Sequence, residues 1–125
     1  MVDVTIQYAN IYVSKIRQSI DFYRDIVGLE LQFTDEEHGY ASFNAGPIRV
    51  GLAEVGKSQD NLTGRHTGVG FCTGDLEQTY AEWVDRGLEF SMKPERQRWG
   101  GFMAMFADPD GNTSYLDQPD VVHGG

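Results

Sequence analysis

Residues 13–31 read VSKIRQSIDFYRDIVGLEL, and residues 73–90 read TGDLEQTYAEWVDRGLEF. Laid in register, Gln18 meets Gln78, Ser19 meets Thr79, Tyr23 meets Trp83 and Asp25 meets Asp85. One deletion later, Gly28-Leu29-Glu30 meets Gly87-Leu88-Glu89. A self-similar pair of this kind marks a duplicated structural unit. Each stretch reads as a helix. Ile16, Ile20, Tyr23 and Val27 fall on one stripe at the helical period, as do Leu76, Tyr80, Trp83 and Val84. Ser14 is the expected N-cap of the first helix and Gly28 its stop. Asp75 with Gln78 three residues on forms a capping-box variant for the second, which Gly87 ends.

Working outward, each helix is preceded by one strand and followed by three. Residues 6–13 alternate at period two, with Ile11 and Val13 on one face and Tyr8, Asn10 and Tyr12 on the other. In the second copy Val69 and Phe71 alternate with Gly68, Gly70 and Cys72. The later strands are expected at about 29–34, 39–45 and 48–55, then at about 88–92, 102–107 and 112–117. The last pair is joined by Asp108-Pro109-Asp110-Gly111, where Pro109 pre-sets φ and Gly111 accepts a positive one.

The fold class is therefore α+β, two tandem βαβββ modules in one domain of 125 residues. Module one spans about 4–55, a polar linker 56–67, module two about 68–117 and a tail 118–125. Helices pack on one face of each curved mixed sheet, so the other faces are expected to line a trough. That trough would collect Tyr8, Asn10, Tyr12, Arg49, Gly51, Gly68, Gly70, Cys72, Thr113 and Tyr115, provided that Val50, Leu52 and Leu116 face the helices. Trp99 precedes a strand at a Gly-Gly break and either overhangs the trough or caps the core edge.

Composition narrows the partners. A net charge of −9 repels phosphate backbones and disfavours nucleic acid. No apolar run approaches the ~20 residues that span a bilayer. The first ten residues have neither a basic nor an apolar signal-peptide region, so the expected location is cytoplasmic. The single cysteine, Cys72, excludes an internal disulfide and a cysteine-based zinc cluster.

This organisation resembles the vicinal oxygen chelate superfamily of glyoxalase I, ring-cleaving dioxygenases, and fosfomycin and bleomycin resistance proteins. The carrying residues are VSKIRQSIDFYRDIVGLEL, GDLEQTYAEWVDRGLEF and WGGFMAMFADPDGN, within residues 6–117. The resemblance implies a glyoxalase/bleomycin-resistance-like fold, and not one particular reaction. Metal-dependent members place His, Glu or Gln near the start of the first and last strand of each module. Carried over, those positions are Tyr8, Gly51, Gly68 and Tyr115, with Leu52 or Ala53 chosen at the second by a slip of one residue. Glycine has no donor, and a phenol, which ionises near pH ~10, is a poor ligand for a divalent ion at neutral pH. No metal or other cofactor is therefore expected. His66, two residues before the third position, is the first suspect for an atypical metal site.

The resulting expectation is a metal-independent protein of the bleomycin-resistance type that binds a small organic molecule as a homodimer. Tyr8, Asn10, Tyr12, Arg49, Trp99 and Tyr115 are its expected ligand contacts, and no catalytic residue is assigned. The alternative is a glyoxalase-type lyase or isomerase, or a dioxygenase. Such chemistry needs a Lewis acid, or else a base drawn from Tyr8, Cys72 and Tyr115. A third reading is a regulatory or interaction module.

Overall fold

The alternating and helical stretches fold in the order the sequence suggests. The structure is a computed structural model and describes residues 2–119; the expected tail lies outside the described residues from position 120 on. The first unit, residues 1–64, contains β1 (Tyr8–Val13), helix α1 (Ile16–Asp21) with a π turn at Phe22–Ile26, β2 (Glu30–Asp35), β3 (Tyr40–Asn44) and β4 (Arg49–Glu54). The second, residues 65–125, contains β5 (His66–Cys72), α2 (Leu76–Asp85), β6 (Phe90–Arg96), β7 (Phe102–Ala107) and β8 (Thr113–Gln118). A 3-10 segment, Lys57–Leu62, precedes the second unit.

The sheets repeat one topology, β1-β4-β3-β2 and β5-β8-β7-β6. In each, the first strand runs parallel to the last and the other neighbours are antiparallel. Both sheets are thus mixed, and the fold is α+β as expected.

Period-two alternation decides which side chains enter each core. In the first unit Ile11, Val13, Ala41, Phe43, Val50 and Leu52 are buried beneath Ile16, Ile20 and Tyr23. In the second, Ala104, Phe106 and Leu116 are buried with Leu76 and Trp83. Phe106 is the centre of an aromatic cluster, with Trp83 edge-on at 5.2 Å and Phe71 at 5.7 Å. Each fully buried side chain of this size contributes ~1.5–3 kcal/mol.

Two local expectations are corrected. The first helix is not a continuous α-helix to Val27. Its α part ends at Asp21, and Phe22–Ile26 forms a π turn, with Val27 N–H donating to Phe22 O at 3.2 Å. The wider turn admits two consecutive aromatics, Phe22 and Tyr23, to the core, packed edge-to-face at 5.0 Å. Nor is Ser14 the N-cap. Lys15 holds that position without a side-chain bond, and the Ile16 N–H donates instead to Glu54 Oε2 at 2.8 Å. Asp75 caps α2 as expected, accepting from Gln78 N at 3.0 Å.

The Asp-Pro-Asp-Gly turn closes as its residues dictate. Gly111 has φ +82°, and the buried Asp108 accepts from the backbone of Asp110 and Asn112 and from Asn112 Nδ2, each at 2.9 Å. This network sets the start of β8, the strand that carries Tyr115.

Candidate functional site

The open face of the first sheet is built by β1, β4 and β3. Register pairs Tyr8 with Arg49, Asn10 with Gly51 and Tyr12 with Ala53, while Ile11 and Val50 turn to the core. Four of the expected contact residues, Tyr8, Asn10, Tyr12 and Arg49, therefore share one exposed face. Tyr8 is 55% exposed on β1, and Phe33, which no sequence argument singled out, is 55% exposed on β2, at the opposite edge of the same sheet. Phe33 pairs with Ser42 on β3, and its ring lies 6.5 Å from that of Tyr40. The face thus offers tyrosine and phenylalanine surface beside one guanidinium, a set suited to flat, partly polar molecules. Tyr40 was legible in principle, since it alternates with the buried Ala41 and Phe43; Phe33 was not, because the register shift after Leu31 places it opposite Ser42 rather than on the face of Leu31.

Gly51 lies at the middle of this face. A Cβ built there would collide with Asn10 Oδ1 and with the Tyr40 hydroxyl at 2.6 Å. The two polar side chains turn into the space that a side chain at position 51 would need.

The open face of the second sheet differs. Register pairs Gly70 with Tyr115 and Cys72 with Asp117, while Phe71 and Leu116 turn to the core side. Between His66 and Gly70 the β5–β8 register shifts, because Gly68 takes φ +75°. The Gly68 N–H donates to His66 Nδ1 at 3.0 Å, so the neutral ring carries its proton on Nε2. That ring packs on Tyr115, with centroids 4.6 Å apart and planes inclined at 55°. Thr67 ties the irregular segment to β8 through the Thr113 carbonyl at 3.1 Å and the Ser114 hydroxyl at 2.7 Å.

Trp99 does not cap a core edge. It is 74% exposed in the β6–β7 connection, and its indole lies against Gly101, where a Cβ would strike the ring. It borders a recess of about 180 Å³ with Gly100, Gly101, Phe102, Asp117, Gln118 and Pro119. Arg96 stacks its guanidinium 4.8 Å from the Phe102 ring centroid and donates to the Gly100 carbonyl at 3.1 Å. Asp117 is the acid of this recess. Its Oδ1 is buried without a hydrogen-bond partner, and burial pushes its carboxyl above the ordinary value. Sequence reasoning passed over it, although it stands two residues beyond Tyr115 on the same face.

The donor set does not suit a divalent metal at the four carried-over positions. Tyr8 and Tyr115 offer phenols, Gly51 and Gly68 offer none, and the space at Gly51 is filled. Among the described residues no three His, Cys, Asp or Glu side chains gather as a metal-holding group, and His66 packs on Tyr115.

Residues 5–114 match the Glyoxalase/Bleomycin resistance protein/Dioxygenase superfamily. The chain belongs to that superfamily. Among members of known structure, one from Sphaerobacter thermophilus DSM 20745 is 25% identical, with TM-score 0.78, covering 94% of this chain and 98% of its own. TnmS3, an antibiotic binding protein from Streptomyces sp. CB03234, is 27% identical, with TM-score 0.79, covering 96% of this chain and 99% of its own. YraH of Bacillus subtilis (strain 168) is 29% identical over 111 residues, 80% of this chain and 87% of YraH. Among the described residues no helix is long and apolar enough to cross a membrane.

Proposed function

We propose that this superfamily member binds a small, flat organic molecule on the open faces of its sheets, with no metal between protein and ligand. The observation that carries the reading is the centre of the first sheet. Where a metal-dependent relative would present a ligand side chain, Gly51 presents none, and Asn10 and Tyr40 turn into the space. Tyr8 and Tyr12 on β1 and Phe33 on β2 offer exposed ring surface on either side of it, and Arg49 supplies donors for a carbonyl or phenolate oxygen. The likeness to TnmS3, described as antibiotic binding, supports the same reading. Asn10 lies on the same face of the first unit, and Trp99 and Tyr115 are proposed as ligand contacts of the second unit taken by itself. The reading includes a homodimer in the cytoplasm, checked by light scattering and by cell fractionation.

A thermal-shift screen of planar aromatic compounds, run with a chelator, tests it. A ligand at about 100 times its Kd stabilises the native state by ~2.7 kcal/mol and raises Tm accordingly. Tyr8→Ala with Tyr12→Ala is expected to weaken the response by at least about tenfold in Kd, the cost of losing ring contacts at a binding surface. Stabilisation that appears only when a divalent metal is added would overturn the reading.

A further inference from the structure

The recess beside Trp99, at the end of the open face of the second sheet, is lined by one acid, Asp117. Asp117 Oδ1 is buried without a hydrogen bond, and among the described residues Asp117 forms no ion pair. Its Oδ2 stands over Gly70, 3.7 Å from where a Cβ would be, so the glycine leaves the carboxylate room against the sheet. Arg96, the cation of the adjoining strand, is occupied by the Phe102 ring and the Gly100 carbonyl. The neighbouring amide oxygen, Gln118 Oε1, is occupied as well, accepting from Leu76 N at 2.8 Å. Asp117 itself lines the recess, so a group bound there meets a carboxylate that, among the described residues, no cation neutralises.

We infer that this recess takes a protonated amine borne on a small ring, with Asp117 as its counter-ion and the Trp99 indole against the ring or the cation. The inference rests on the small-molecule reading above and adds, for the second unit alone, the charge of the group bound there. Three features favour this class. A carboxylate repels anions and pairs best with a charged donor. Indole is the aromatic face that holds cations most strongly. The chain's net charge of −9 concentrates cations near it. Size limits the group: an engineered cavity of about 150 Å³ holds benzene, so a recess of about 180 Å³ takes one ring with a short ammonium arm.

Nuclear magnetic resonance titration of the full chain at pH 7 with benzylammonium, benzyl alcohol and benzoate tests this. The readouts are the Trp99 indole N–H, assigned through Trp99→Phe, and the Asp117 amide. Benzylammonium is expected to shift both saturably, benzyl alcohol to bind about tenfold more weakly, and benzoate not to bind. In Asp117→Asn the preference for the ammonium should vanish while the alcohol still binds. Equal affinity of ammonium and alcohol for the unaltered protein would overturn the inference and leave the small-molecule reading standing. So would an unchanged preference in Asp117→Asn. Absence of any shift at Trp99 and Asp117 would also overturn it, and the aromatic screen would then judge the broader reading separately. The comparison of the three probes on the unaltered protein needs no variant to fold.

Discussion

Glu54 Oε2, at the end of β4, accepts the backbone N–H of Ile16, the first residue of α1, at 2.8 Å. The second unit repeats the device with a different side chain, since Gln118 Oε1 at the end of β8 accepts from Leu76 N at 2.8 Å. In both units the last strand, paired in parallel with the first, reaches back to hold the helix that follows that first strand. In each unit the helix N-terminus is thereby fastened to the end of an inner strand of its sheet.

Glu54→Ala is expected to cost ~1 kcal/mol, the usual worth of an N-terminal cap, or about 4 °C in Tm. Glu54→Gln should be close to neutral, because Gln118 does the same work in the second unit. Chemical denaturation of both variants checks this, and an equal loss for Gln would show that charge rather than the hydrogen bond matters.

Gly68→Ala is expected to destabilise by ~1–2 kcal/mol. The Cβ would find open space, but the backbone stands at φ +75°, which L-residues occupy at that cost. Relaxing the backbone would instead move the Gly68 N–H off His66 Nδ1. A changed His66 ring environment by NMR, together with lower denaturant tolerance, is the expected pair of signs.

Asp117→Asn is expected to raise stability at pH 7. Burial holds the folded carboxyl above its ordinary value of 3.8, so ionisation opposes folding. Between 3.8 and the raised folded value the native state keeps a proton that the unfolded chain has released, and stability falls as pH rises through that window. The advantage of Asn should therefore be full above the folded value and vanish below 3.8. Asp25, bonded to Arg24, and Asp35, bonded to His38, are shifted downward and act in the opposite sense. They are common to both proteins and cancel in the difference of the two Tm-versus-pH curves.

The duplication and the core were legible because they rest on local rules. Ile11 and Val13 alternate with Tyr8, Asn10 and Tyr12, and the pleat alone sends the first pair inward. The strand containing Tyr115 follows from the Asp108 turn in the same way. What escaped the reading depends on partners distant in sequence. Glu54 caps a helix that begins 38 residues earlier, which no capping pattern around Ser14 reveals. The π turn at Phe22–Ile26 answers the demand of two adjacent aromatics for one core, and simple helical spacing gives no sign of it. Gly51 reads as an empty position; only the fold shows Asn10 and Tyr40 filling it. Asp117 reads as a polar strand end, and its significance lies in the missing partner, which requires coordinates to see.

Metal retention is the direct test of whether this chain binds its ligand without a metal. Untagged protein would be incubated briefly with zinc, nickel, manganese and iron(II), desalted, and its metal content measured by elemental analysis. No ion is expected to be retained in stoichiometric amount, because Tyr8, Gly51, Gly68 and Tyr115 present no adequate donor set. About one ion held per chain would contradict it, and would turn attention to His66 and to metal-dependent lyase or dioxygenase chemistry.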